Sequence, residues 1–243
     1  VGCLDMTARG GVKGRQMDDL LFTRYQVVLQ VTNRLMAGIP KDPEMIATWL
    51  NARKTSEAAF ARRQAAGEDM MPIAKIAERV EALVDGGDEG EEERVWMGFL
   101  KDEMGLHILA SNVKAHLKDC ANVLQKKADV KAFRSKLANR VFVEGIRNSL
   151  GDEAIYLGKD EPDGYFEHPV HAMTARGPRT ALKRNDYRLR PLLAFTLLVL
   201  NDGFVTEELL ETLFAYGAKH GIGSERGNGF GRYELVKLEA LPK

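Results

Sequence analysis

The sequence predicts a fold in which strands and helices alternate, of the α/β or the α+β class. A period of two from Tyr25 to Val31 is typical of a half-buried strand. The apolar run Leu192 to Leu200 predicts a buried strand, and the acidic turn after Thr206 predicts a capped amphipathic helix. The 243 residues, 44% of them hydrophobic and 29% charged, suit one elaborate globular domain, and no apolar run approaches the ~20 residues that span a bilayer.

The segments on either side of the first strand are expected to be a tail, helices and a surface loop. Residues 1 to 19 hold four glycines without periodicity and are expected to form a flexible tail. Asp42 before Pro43 is typical of the N-cap of a helix, which is therefore predicted to begin at Pro43. A second helix is predicted from Pro72 to Val84. The segment Asp85 to Glu93 has six acidic residues and no apolar one, which predicts a surface loop.

A hairpin and a basic helix are predicted next. Val95 to Leu100 and Leu106 to Leu109 flank a short polar turn, the pattern of a β-hairpin. Ser111 is a candidate cap for a helix that carries Lys114 and Lys118 one turn apart. These two cations near a helix start oppose the macrodipole unless an anion lies between them.

The last third is predicted to be mainly strands around one helix. Strands are indicated at Val141 to Val143 and Phe166 to Thr174, and a final alternating strand runs from Tyr233 to Leu238. The helix that starts after Thr206 is predicted to end near Gly221, where a glycine-rich loop begins.

That loop has five glycines between positions 221 and 231, more than a turn requires. Arg226 replaces the third glycine of a dinucleotide fingerprint, and the order helix, loop, strand is wrong for one; no Walker sequence follows either. What remains is a loop whose exposed amides, with Arg226 and Arg232 beside it, suit an extended polyanion such as a phosphate backbone. A glycine-rich connector without a ligand is the alternative.

Charge is segregated along a chain of zero net charge, with 35 basic and 35 acidic residues. From Lys114 to Arg147 nine basic residues face three acidic ones, and from Arg176 to Arg190 the count is six to one. This permits a basic groove on a neutral protein, while solvated surface faces are the alternative.

The sequence gives little support for a disulfide, a metal site or a nucleophilic active site. Cys3 and Cys120 have no paired spacing, so neither a disulfide framework nor a zinc site is predicted. His168 and His171 are three apart on a predicted strand and point to opposite faces, which disfavours a metal pair. No nucleophile elbow is present. We expect no cofactor, no metal and no catalytic residue, and, because nothing at the start directs export, a cytoplasmic location.

The last fifty residues resemble the C-terminal half of the RAMP superfamily, and specifically the Cas7-like backbone subunits of CRISPR effector complexes. The resemblance rests on the strand Leu192 to Leu200, the helix Glu207 to Lys219 and the loop that ends Gly229-Phe230-Gly231-Arg232. A second match is Ser111-Asn112-Val113-Lys114-Ala115-His116-Leu117-Lys118, similar to a Ser-Leu-Lys-Gly-x-x-Arg helix start with alanine for glycine and lysine for arginine.

The resemblance implies an α+β fold with a ferredoxin-like (RRM-like) core and large helical and hairpin insertions. Residues 20 to 243 are then a single RAMP-like domain with insertions at about 43 to 93 and 148 to 190. The implied function is sequence-independent binding of single-stranded RNA, or DNA, by copies of the chain that form a filament-like backbone, alone or with other effector subunits.

On this interpretation Phe230 is either a stacking residue or a residue that packs within the loop. Four basic residues of the segment 176 to 184 form a flexible clamp. The expected nucleic-acid contacts are Lys114, His116, Lys118, Arg176, Arg179, Lys183, Arg184, Gly223, Arg226, Asn228, Phe230 and Arg232.

Two other functions stay open. One is a metal-dependent endoribonuclease: some Cas7-like subunits cleave RNA with an aspartate in the loop after the first strand, and Asp42 lies in a similar place, although an N-cap role is favoured. A stand-alone viral single-strand-binding or inhibitor protein is the other, in which the acidic loop Asp85 to Glu93 contacts a protein partner.

Overall fold

The structure is a computed structural model that describes residues 20–41, 94–174 and 177–242. The predicted tail, Asp42, the predicted helix 72–84 and the acidic loop 85–93 lie outside these residues. Within them the fold is α+β, with more strand than helix. No helix in the described part is long and apolar enough to cross a membrane.

The strands and helices are as follows. The strands are β1 (Phe22–Val31), β2 (Arg34–Met36), β3 (Ile39–Pro40), β4 (Arg94–Gly98), β5 (Leu100–Asp102), β6 (Gly105–Leu109), β7 (Val141–Glu144), β8 (Ile146–Arg147), β9 (Glu153–Tyr156), β10 (Gly164–Thr174), β11 (Gly177–Leu189), β12 (Leu192–Leu200) and β13 (Tyr233–Ala240). The helices are α1 (Ala110–Leu124), α2 (Phe133–Ala138), α3 (Glu207–His220) and a 3-10 turn, Arg226–Asn228.

The chain forms two compact units, and it passes from one to the other four times. The first unit comprises Val1–Leu35, Ile108–Leu157 and Arg190–Lys243. The second comprises Met36–His107 and Gly158–Leu189.

An antiparallel sheet of order β13-β1-β12-β7 is the centre of the first unit. The predicted first strand is confirmed as β1, in which Val27, Leu29 and Val31 are fully buried. Both longer helices pack on this sheet, α1 against β7 and α3 against β13, and the two helices also contact each other. Their apolar stripes, which include Leu117 and Phe214, form the core with the buried side of the sheet.

The apolar run 192–200 is a strand, β12, but it is not buried on both sides. Leu193, Phe195 and Leu197 are buried, whereas Leu192 is 54% exposed. The predicted strand is confirmed with its bounds, but only alternate residues of it are buried, because a continuous apolar run does not show how many faces of a strand are covered.

The ends of the two long helices differ in how well they were predicted. The Thr206 cap is confirmed: its Oγ1 accepts a hydrogen bond from the Leu209 N–H at 3.2 Å. Ser111 is not the cap of α1, because the helix starts at Ala110 and its N-cap is Leu109, two residues before Ser111. The Leu109 N–H donates to the Asn112 Oδ1 atom at 3.0 Å, which is the bond that the N3 side chain makes in a capping box.

The second unit contains the long β10–β11 hairpin, with β4 parallel to β11 and β3 antiparallel to β4. The strand predicted from Phe166 to Thr174 is confirmed as most of β10. The predicted hairpin before α1 is also confirmed, as β5 and β6 with Leu100 opposite His107, and β4 is a separate strand before it.

Candidate nucleic-acid interface

The glycine-rich segment 221–232 forms a closed loop between α3 and β13. At its neck the Ile222 N–H donates to the Gly231 carbonyl oxygen at 2.8 Å. Gly221 and Gly231 have φ of +83° and +74°, and a Cβ atom on Gly231 would overlap the Ile222 carbonyl oxygen. The backbone approaches itself more closely here than a residue with a side chain permits, so these two glycines close the loop.

The loop uses many of its amides internally. Five of them donate to carbonyl oxygens of the protein, those of Gly221, Ile222, Asn228, Gly229 and Gly231. Gly223 and Gly227 are exposed, and a Cβ atom on Gly227 would meet open space. The amide cradle predicted from the sequence is therefore smaller in the structure, because closing the loop occupies amides that a ligand would need.

Backbone hydrogen bonds hold three segments together at one end of the first unit's sheet, where β1 ends and β12 and β13 begin. The Arg190 N–H donates to the Asn33 carbonyl oxygen at 2.8 Å. The Thr32 N–H donates to the Arg232 carbonyl oxygen at 2.8 Å, and Arg34 follows Asn33 directly. Arg34, Arg190 and Arg232, the arginine cluster, thus come from three distant parts of the sequence to one sheet end.

Arg190 and Arg232 are the exposed members of the arginine cluster. Among the described residues no carboxylate forms an ion pair with either of them. Arg190 has a φ of +50°, which is uncommon for a residue with a side chain and costs about 1–3 kcal/mol. The Gln30 side chain helps to hold it there by donating to its carbonyl oxygen at 2.8 Å. Two exposed guanidinium groups without a described carboxylate partner suit the oxygens of a phosphate.

Arg226, on the loop itself, is partly engaged within the protein. Its guanidinium donates to the Asp119 carboxylate at 3.4 Å and lies 3.0 Å from the His220 Nε2 atom. Its side chain remains 33% exposed. Burial, with the Arg226 charge, lowers the pKa of His220, so the neutral ring accepts the guanidinium hydrogen bond. A phosphate must compete with Asp119 for Arg226, which makes it a weaker candidate than Arg232.

His116 is not available to a ligand. It is 3% exposed and shares a hydrogen bond of 3.0 Å with the Tyr233 hydroxyl group. The expected phosphate contact at His116 is therefore wrong. Lys114 is two residues away from His116, which corresponds to about 200° around the helix. The two side chains therefore lie on opposite sides of α1, with His116 towards the core.

The buried His116 makes stability depend on pH. Burial, together with the nearby His220 and Arg226, lowers the pKa of His116 to about 4 from an ordinary 6.5. As the pH falls, the His116 ring is therefore protonated in the unfolded chain before it is protonated in the folded one. The free energy of unfolding falls by about 3 kcal/mol in all as the pH drops from 6.5 to about 4. We expect denaturant titrations at pH 7 and 4.5 to show a larger loss for wild type than for His116→Gln, which does not titrate. Equal losses would contradict this assignment.

Lys114 and Lys118 lie outside the arginine cluster. Burial, with the neighbouring Lys118 charge, lowers the pKa of Lys114, whose Nζ lies 4.4 Å from the centre of the Phe142 ring. Phe142 pairs with Leu198, six residues along β12 from Leu192. At ~3.4 Å per residue this is about 20 Å along the strand from the cluster. The structure does not bring the two lysines and the cluster into one compact site.

The predicted basic clamp lies in the second unit. Lys183 and Arg184 are consecutive residues of β11 and point to opposite faces of its sheet. The Arg184 guanidinium carbon lies 3.8 Å and 3.7 Å from the ring centres of Trp96 and Tyr165. The idea of a flexible clamp is therefore wrong for these two residues, because regular strand pairing positions them.

The remaining expected contacts are divided between the loop and the hairpin. Gly223 and Asn228 are exposed on the loop, and Phe230 is half-buried. Arg179 lies on β11, and Arg176 lies outside the described residues. Of all the predicted contacts, Arg232 belongs to the arginine cluster and those on the loop precede it directly in the sequence.

Sequence reasoning missed Arg34 and Arg190 as site residues. A signal was present in the sequence. Arg232 directly precedes β13, and only Pro191 separates Arg190 from β12. Arg34 comes shortly after the end of β1. In an antiparallel sheet the end of one strand lies beside the start of its neighbours, so these flanking residues meet.

Comparisons with known proteins give distant structural likeness. No protein-family model and no curated protein matches the chain. Among solved structures, it is similar to a chain of the "Cryo-EM structure of the Type III-B Cmr-beta bound to cognate target RNA". The two chains are 12% identical, with a TM-score of 0.47, and the match covers 98% of this chain and 68% of that one. This level of similarity assigns neither fold nor partner, so both are inferred from the described residues.

Proposed function

We propose that the first unit is a ferredoxin-like core of the RAMP, Cas7-like kind. The order β1, α1, β7, β12, α3, β13 and the antiparallel sheet order β13-β1-β12-β7 support this, since the βαββαβ arrangement has its last strand beside its first. Segments of about 43–93 and 148–190 are then insertions into a single domain. The second unit, which comprises Met36–His107 and Gly158–Leu189, contains most of them.

The function that we infer for this core is binding the backbone of a single strand of RNA. The arginine cluster is the observation that carries it, because Arg190 and Arg232 are exposed and the protein provides neither with a described carboxylate partner. The exposed tip at Gly223 and Gly227 belongs to the same loop as Arg232 and allows a phosphate to approach the main chain closely. Contacts of this kind read no sequence.

The partners we propose are therefore an unpaired RNA strand, further copies of the chain along that strand, and other subunits of an effector complex. Backbone binding without base readout suits a repeated unit, since each copy makes the same contacts wherever it sits. DNA is distinguished from RNA only by a contact to the 2′-hydroxyl group. Equal affinity for the two strands would extend the proposal to DNA.

Salt dependence tests the arginine cluster directly. We expect the logarithm of the association constant for a labelled, unstructured RNA to fall linearly with the logarithm of salt concentration. Arg232→Gln removes one phosphate contact and should make this slope shallower by about 0.7. Fluorescence anisotropy over a salt series provides the measurement. Lys126→Gln, at an exposed lysine in the turn after α1, is the matched control and should leave the slope unchanged.

Two results would count against the proposal. If wild type binds neither RNA nor DNA single strands at low salt, nucleic-acid binding is wrong. If it binds but Arg232→Gln keeps the wild-type slope, the assignment of the arginine cluster is wrong.

A further inference from the structure

In the second unit, cations and aromatic rings alternate in one stack of four side chains. The Lys41 Nζ lies 4.5 Å from the centre of the Trp96 ring, and the Arg184 guanidinium carbon lies 3.8 Å from it. The same guanidinium carbon lies 3.7 Å from the centre of the Tyr165 ring. Because β11 lies between β10 and β4, Arg184 is sandwiched between the two rings. We call these four residues the cation–aromatic stack.

The inner end of the stack is fixed. Asp186, whose side chain is 3% exposed, accepts a hydrogen bond from the Trp96 Nε1–H at 2.9 Å. The same carboxylate pairs with the Lys41 ammonium at 3.0 Å. Two cations therefore lie over the indole ring and its Nε1–H is bonded, so Trp96 is already engaged within the protein.

The outer end of the stack is an open ring. Tyr165 is 53% exposed although Arg184 covers one of its faces. Within the described residues no other aromatic ring or cation contacts Tyr165. Its second face is therefore available to a flat ligand, and the backbone of a paired strand holds the ring in place.

The cation behind Tyr165 selects what stacks on that face. A guanidinium group on one face of a ring draws π density towards itself, so the opposite face attracts a second cation less and an electron-rich ring more. We infer that Tyr165 stacks on an unpaired nucleobase of single-stranded RNA. The inference rests on the proposed function and adds to it a contact with a base, which the arginine cluster does not supply.

An abasic strand separates this contact from backbone binding. We expect Tyr165→Leu to weaken binding to an unstructured RNA about tenfold, as the loss of one base–aromatic stack does. Binding to a strand of equal length without bases should be unchanged, and Tyr165→Phe should bind both strands as wild type does. Leu182→Ala is the matched control, because Leu182 is 36% exposed on the same face of β11 as Arg184.

Salt gives a second readout, since stacking releases no counterions. The loss in Tyr165→Leu should be the same factor at every salt concentration, unlike the loss in Arg232→Gln. If wild type binds RNA and Tyr165→Leu binds it equally well, or loses the abasic strand equally, the inference is overturned. If Tyr165→Leu instead loses binding to an arginine-rich peptide and keeps RNA, the face takes a protein cation and the inference is also overturned. Absence of all nucleic-acid binding by wild type refutes the proposed function itself.

Discussion

Gly231→Ala is expected to cost about 3 kcal/mol or more of the free energy of unfolding. The new Cβ atom would overlap the Ile222 carbonyl oxygen, and the φ of +74° disfavours any residue with a side chain. Relief requires opening the neck of the loop, which also breaks the hydrogen bond from Ile222 to residue 231. Urea or guanidinium titrations of the two proteins, followed by far-UV circular dichroism, measure the difference.

Gly227→Ala is the matched control for that change. Gly227 lies in the same loop, but a Cβ atom there meets open space and its φ is not in the left-handed region. Stability should stay the same or rise by up to about 1 kcal/mol, because alanine restricts the unfolded chain. Similar losses in both variants would show that the neck is not the critical point of the loop.

Charge reversal of both exposed members of the arginine cluster is expected to abolish useful RNA binding. Arg190→Glu combined with Arg232→Glu removes two charge-assisted contacts to phosphate and adds two repulsions. At about 1.5–3 kcal/mol for each lost contact, the affinity should fall a hundredfold or more. Anisotropy titration with labelled RNA at one fixed salt concentration is the measurement.

A second double variant controls for net charge. Lys126→Glu with Lys127→Glu changes the charge of the chain by the same amount at two exposed lysines outside the cluster. Only the general electrostatic field changes, so the affinity should fall by no more than a fewfold. Equal losses in the two double variants would show that binding follows net charge and not the arginine cluster.

Local patterns in the sequence were sufficient for much of the fold of the first unit. The alternation in β1 and the cap and stripe of α3 are properties of neighbouring residues, and both elements appear where those patterns place them. The number of covered faces of β12 and the N-cap of α1 depend on what packs or bonds nearby in space, so local patterns did not determine them.

The candidate site was less predictable for the same reason. Arg232 was found because it belongs to a local glycine-rich pattern, whereas Arg190 becomes a site residue only when the Asn33 carbonyl oxygen, more than 150 positions earlier, fixes it. His116 and Arg184 were misjudged because their charges were counted without their surroundings, a buried hydroxyl partner for one and two aromatic rings for the other.

The sheet order of the first unit has a consequence for synthesis in the cell. Strand β1 takes both of its hydrogen-bonded neighbours, β12 and β13, from the part of the chain that begins at Leu192. At about 5–20 residues per second, a ribosome needs roughly 8 to 30 s after Val31 to reach that point. Throughout this interval both edges of β1 lack their hydrogen-bonding partners, and its apolar side chains lack the core that buries them. We expect the nascent chain to engage holdase chaperones until β12 emerges.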